Sequence, residues 1–164
     1  MTNKKKLRVG WFSFSCCEDS TIIFTELLND HYMQWKNYIE FAYFLPLQKK
    51  TSFQDIDLSF IEGAVTSEEQ EKMVKKIRDC SQKVVAIGAC AVSGMPSGQR
   101  NTFDEKTQKE IAPILLRFTY ASMVKKIADV IRIDAVVPGC PMDENIFLKV
   151  INTYLSEFGI IKTG

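Results

Sequence analysis

The chain has 164 residues, 46% of them hydrophobic and 25% charged, with a formal net charge of +1. These values fit one globular domain over 1–164, able to bury roughly 70% of its unfolded surface, and they exclude disordered and fibrous classes. The near-neutral charge gives no reason to expect a nucleic acid partner, and no apolar stretch reaches the ~20 residues of a direct membrane span.

Lys4-Lys5-Lys6 opens the chain without an apolar core or small-residue cleavage site after it, so it reads as a solvated tail and not an export signal. A cytoplasmic location is expected. In that compartment the five cysteines are reduced, metal-bound or catalytic rather than paired as disulfides.

Residues 7–12 form a short apolar first strand of the kind buried on both faces of a parallel sheet. The turn Ser13-Phe14-Ser15-Cys16-Cys17-Glu18-Asp19 follows, and Ser20 or Thr21 caps a helix running to about Asn29. Residues 31–38, with His31 and Trp35, read as a surface connection to a second strand over 39–44, ended near Pro46. A third strand covers 58–61 and closes at Glu62-Gly63. Thr66 with Glu69, or Ser67 with Gln70, has the spacing of a capping box. Met73, Val74 and Ile77 form the stripe of the helix it starts.

A fourth strand covers 84–87. Residues 92–102, with Gly94, Pro96 and Gly98, are expected to be a long loop, and 104–131 to be mostly helical with a break at Pro113. A fifth strand covers 133–137. Pro141 suits the first turn of a last helix, whose face is Ile146, Phe147, Val150, Ile151, Tyr154, Leu155 and Phe158, with Gly159 at its C-terminal cap. Strands alternating with helices predict an α/β fold, a parallel sheet with helices on both faces.

In such a sheet every strand-to-helix turn lies at one edge, where ligands bind. Cys16, Cys17, Cys90 and Cys140 occupy turns of that kind. Cys80 follows a helix that returns to the opposite edge and reads as an ordinary buried thiol. Thiolates select zinc, copper(I) or iron–sulfur clusters. Zinc sites draw on ligand pairs two to four residues apart, whereas these thiols come from three separate turns, which suits one [4Fe–4S] cluster. Unconnected buried cysteines are the plain alternative. Gly88 and Gly139 favour the cluster, since glycine lets backbone approach a bulky inorganic group.

Rival chemistries are weaker. Glu18 and Asp19 would repel a flavin phosphate; they also suit a helix N-terminus by the dipole alone. The glycines of 88–98 lack dinucleotide-binding spacing, and no phosphate-binding Gly-Lys-Ser/Thr occurs. His31 reads as a surface residue with no thiol beside it, and Arg100 as an exposed loop arginine.

The turns Ile61-Glu62-Gly63-Ala64-Val65, Ile87-Gly88-Ala89-Cys90-Ala91 and Val137-Pro138-Gly139-Cys140-Pro141 resemble those of nickel–iron hydrogenase small subunits, a family that includes the 20 kDa subunit of NADH:quinone oxidoreductase. The resemblance runs over about 7–158. It implies a flavodoxin-like domain whose proximal [4Fe–4S] cluster exchanges electrons with a nickel–iron or quinone site on a large subunit, with further iron–sulfur or flavin subunits beyond. Cys17, Cys90 and Cys140 fall on family ligand positions. Hydrogenase members place the first ligand where this chain has Phe14, and Cys16 stands in; the tandem Cys16-Cys17 is similar to the quinone-oxidoreductase branch. No further cysteine-rich segment follows, so a short, single-cluster, cytoplasmic type is expected. The alternative is a subunit of a quinone- or nicotinamide-linked oxidoreductase whose partner lacks nickel.

Overall fold

The computed structural model describes residues 6–46 and 52–162; Lys4 and Lys5 of the expected basic tail lie outside them. The elements are β1 (Leu7–Ser13), α1 (Asp19–Trp35), β2 (Ile39–Tyr43), β3 (Ile56–Glu62), α2 (Glu68–Asp79), β4 (Ser81–Ile87), α3 (Gly88–Ser93), α4 (Glu105–Arg117), β5 (Ala135–Val137) and α5 (Glu144–Glu157). The five strands pair in the order β2-β1-β3-β4-β5, and every neighbouring pair is parallel. That is the flavodoxin-like order, and it puts all strand C-terminal ends at one edge.

Alternation along β1 sends Trp11 to one face and Phe12 to the other. Trp11 packs with Phe24, Phe60, Phe147 and Ile151, while Phe12 packs with Ile61, Val74, Ile77 and Ile127. Trp11 stacks on Phe24 with ring centroids 4.2 Å apart and meets Phe147 edge-on at 6.1 Å. β3, the central strand, is buried along its whole length, as a strand covered on both faces must be.

Several local expectations are revised. α1 runs on to Trp35, because Trp35 is buried and closes on Phe24 and Phe147 at 6.3 and 6.4 Å. His31 lies half-buried on that helix, stacked on Trp35 at 5.0 Å, and not in a surface connection. Neither Ser20 nor Thr21 caps α1; Glu18 holds the N-cap position at φ 65°. At α2 Ser67 is the N-cap, its Oγ accepting from Gln70 N at 3.2 Å, while the Gln70 side chain accepts from Thr66 N at 2.8 Å and so does not close the box on Ser67. Val74 and Ile77 are fully buried but Met73 is exposed.

The expected 92–102 loop is partly helical, with α3 reaching Ser93 and a 3₁₀ turn over Gln99–Thr102. α4 stops at Arg117 and carries Pro113 inside it, so the proline does not break it; the carbonyl left without a donor belongs to exposed Lys109. Backbone bonds from Ala121 N to Thr66 O and Lys125 N to Val65 O, 2.8 and 2.9 Å, then hold the chain in extended form. β5 is shorter than expected, and Pro141 precedes α5, whose N-cap is Asp143. The expected α5 face is correct: Phe147, Ile151, Tyr154 and Leu155 are buried, and Gly159 takes φ +69°. Among the described residues no helix is long and apolar enough to cross a membrane.

Candidate metal centre

Four turns at the C-terminal edge of the sheet build this site, three of them carrying the cysteines. The β1–α1 turn is tied to the β3–α2 turn by an antiparallel bridge, with Ser15 N to Ala64 O at 3.1 Å and Ala64 N to Ser15 O at 3.0 Å. The β4–α3 and β5–α5 turns are joined by Ala89 N donating to Gly139 O at 2.7 Å. Cys16, Cys17, Cys90 and Cys140 line one small basin of about 10 Å³ together with Asp19, Ser20, Glu62, Gly88 and Gly139.

The four thiols differ in exposure. Cys90 is buried against Ala64 and Val124 with Cys16 packed on them, and Ser97 Oγ lies 3.2 Å from its Sγ. Cys16 is half-buried, while Cys17 and Cys140 are exposed. Burial, and next the Glu62 carboxylate, push the Cys16 thiol up to about 12. Such a thiol is the opposite of an activated nucleophile.

Gly88 and Gly139 both line this basin. Gly88 and Gly139 take φ +76° and +116°, and their crowding comes from the turns themselves. A Cβ on Gly88 would lie 2.9 Å from Ser20 Oγ, and one on Gly139 would lie 2.5 Å from Pro141 O. Gly88 thus lets its turn close on the start of α1, and Gly139 lets its own turn fold tightly.

Cys80 sits apart, at the opposite edge, where its Sγ meets Ile77 O at 3.4 Å; it is half-buried rather than buried. Arg100 is not an exposed loop residue. It is half-buried, donates to Ala121 O at 2.8 Å and lies over the Tyr120 ring. Desolvation holds its pKa below the ordinary guanidinium value.

The residue that sequence reading misses is Glu62. It is 3% exposed at the end of β3, where local pattern marks only the close of a strand. Its carboxylate accepts from Ser20 N at 3.0 Å and from Thr21 Oγ1 at 2.6 Å. The signal available is a carboxylate at the end of a strand buried on both faces, where any charge needs partners.

Four thiols spread over three turns, with the Asp19 and Glu62 carboxylates beside them, fit a polynuclear iron–sulfide group. Among the described residues no three His, Cys, Asp or Glu side chains are grouped so as to hold a metal ion. A larger cavity of about 630 Å³ lies between the ends of β1 and β2, walled by Phe12, Phe14, Tyr43 and Phe53 with Glu18 and Glu69; no cysteine lines it.

The chain is similar to a component of the F420-non-reducing hydrogenase of Methanothermobacter marburgensis, 28% identical over 170 aligned residues, covering 94% of this chain and 54% of that protein. It is also similar to the delta subunit of the NAD-reducing hydrogenase HoxS of Cupriavidus necator, 28% identical over 113 residues, covering 58% of this chain and 53% of that one. The chain thus spans about half the length of these curated relatives. In fold it matches a chain of an NAD+-reducing [NiFe]-hydrogenase crystallised in the H2-reduced state, with TM-score 0.81, 20% identity and 93% of each chain covered. The family model for the NADH ubiquinone oxidoreductase 20 Kd subunit matches residues 16–154, a span that starts at the first thiol and contains every cysteine of the basin, and the chain belongs to that family.

Proposed function

We propose that this protein is the electron-relay subunit of a multi-subunit nickel–iron hydrogenase, a single domain over 1–164 that works in the cytoplasm. The observation that carries this reading is the meeting of Cys16, Cys17, Cys90 and Cys140 around one basin. These four would hold one [4Fe–4S] cluster, which supplies one-electron chemistry at low potential. The chain's own residues do the rest. Cys90 and Cys16 anchor the buried side, Cys17 and Cys140 the exposed side, and Ser97 presents a hydroxyl to the Cys90 sulfur. The catalytic hydrogen site belongs to the large subunit, and further iron–sulfur or flavin subunits carry electrons onward.

Surface chemistry supports a large partner at this edge. Val124 is buried beside Cys90, so the segment that follows α4 is fixed to the cysteine edge. That segment and α4 expose Ile114, Leu116, Phe118, Tyr120 and Met123, with Leu116 at 81%. No residue of α4 is buried. Large apolar side chains exposed in such number near a redox site support an interaction surface there.

The second reading is a subunit of a quinone- or nicotinamide-linked oxidoreductase whose partner lacks nickel. The family description and the tandem Cys16-Cys17 favour it, and nickel analysis of the co-purified complex separates the two.

The test is anaerobic reconstitution with iron and sulfide. Wild type and Cys80→Ser are expected to bind about four irons and four sulfides per chain, as a [4Fe–4S] group requires, with Cys90→Ser and Cys140→Ser losing most of both. Equal iron loss in Cys80→Ser, or none in the other two, overturns the assignment.

A further inference from the structure

Glu62 carries a charge that its structural duties do not need. It links the end of β3 to the start of α1 by accepting from the Ser20 amide and the Thr21 hydroxyl. Thr21 Oγ1 accepts in turn from Trp11 Nε1 at 2.8 Å, so the carboxylate ends a buried polar chain that begins in the aromatic core. A glutamine has the same shape and offers a carbonyl to the Ser20 amide and an amide group to the Thr21 oxygen. The fold would therefore be served by a neutral side chain. A buried anion, in contrast, is costly without a counter-ion, and among the described residues no lysine, arginine or histidine forms an ion pair with Glu62.

What Glu62 faces is the basin. It lines the same space as the four thiols. Asp19 also lines that space but is exposed, so water and salt screen it. Glu62, 3% exposed, is screened far less, because its field passes through protein rather than solvent.

We propose that Glu62 is a positioning residue whose fixed negative charge lowers the reduction potential of the iron–sulfur group bound by the four thiols. This rests on the reading given above. One electron from a donor such as dithionite enters the group, whose charge falls by one, and no bond at Glu62 is made or broken. A nearby desolvated anion opposes that added negative charge, so the group is harder to reduce than it would be beside a neutral amide.

The test compares reconstituted wild type, Glu62→Gln and Asp19→Asn by anaerobic spectroelectrochemical titration, with iron content and hydrogen exchange at the Ser20 amide measured alongside. The expected result is a midpoint potential clearly more positive in Glu62→Gln, an almost unmoved one in Asp19→Asn, and full iron and a protected Ser20 amide in both. Glu62→Asp, which keeps the charge, stays near wild type. Three results overturn the proposal: an unmoved midpoint in Glu62→Gln at full iron, an equal shift in Asp19→Asn, or a Glu62→Gln protein that fails to fold, since the fold would then need the charge itself. Absence of iron from wild type sinks the cluster reading and this inference together, whereas iron with an unmoved midpoint sinks only this one.

Discussion

Gly139 is where backbone geometry and site coincide. Its φ of +116° is one that L side chains rarely adopt, and an added Cβ would also meet Pro141 O at 2.5 Å and Asp143 N at 2.9 Å. Gly159 has a similar sign, φ +69°, but nothing lies within 4 Å of its Cβ position. Gly139→Ala should therefore cost about 1–3 kcal/mol of strain and displace the Cys140 turn. Gly159→Ala should cost about 1 kcal/mol, the backbone component alone. Chemical denaturation of both variants measures the difference; equal losses would mean that the crowding at Gly139 relaxes freely.

Among elements, the contact between α2 and the extended segment after α4 has a pH signature. Glu71 accepts from Lys125 at 2.7 Å and from Lys75 at 2.7 Å. These bonds, Lys125 first, lower its pKa from the ordinary 4.5 to about 2. The folded carboxylate thus stays charged at pH values where the unfolded chain has already bound a proton. Its contribution is full above about 4.5 and is lost as pH falls towards about 2, so stability rises with pH across that window. Lys125→Met should flatten the change in melting temperature between about pH 6 and about pH 3 relative to wild type. An identical slope in the variant would assign the effect to other carboxylates. The same segment shows where local pattern misleads. Residues 104–131 have helical composition, yet the helix ends at Arg117 and Thr119 takes φ 56°. Partners distant in sequence, Val65 and Thr66, claim the backbone groups at Lys125 and Ala121, and no local pattern announces that. α1 outruns its local pattern for a related reason: the residue that keeps it helical, Trp35, is stabilised by Phe24 and Phe147, the latter more than a hundred positions away.

For the whole molecule, the exposed apolar side chains of α4 and of the turn beyond it set the expectation about assembly. Replacing Leu116, the most exposed large apolar side chain among the described residues, with lysine, and exposed Phe118 with glutamate, should move the domain's melting temperature by no more than about 2–4 °C, because exposed positions contribute little to folding. Co-purification of the large subunit should fall several-fold, since exposed apolar anchors at an interface carry a large share of binding. Full recovery of the complex would place the partner on another face.

What the primary structure determined alone is the alternation of strands with helices, and hence a parallel sheet with its strand-to-helix turns at a common edge. Periodicity is a local property, and the right-handed crossover rule turns it into topology, which sorts Cys16, Cys17, Cys90 and Cys140 from Cys80 without coordinates. Only the tertiary structure decided that four turns lock in two pairs, through Ser15 with Ala64 and Ala89 with Gly139, that the glycines allow tight packing there, and that a buried carboxylate stands beside the thiols. Those facts depend on groups brought together across 42 positions, as at Ser20 and Glu62, and such contacts are fixed by packing and desolvation, which act through space and leave no mark in local sequence order.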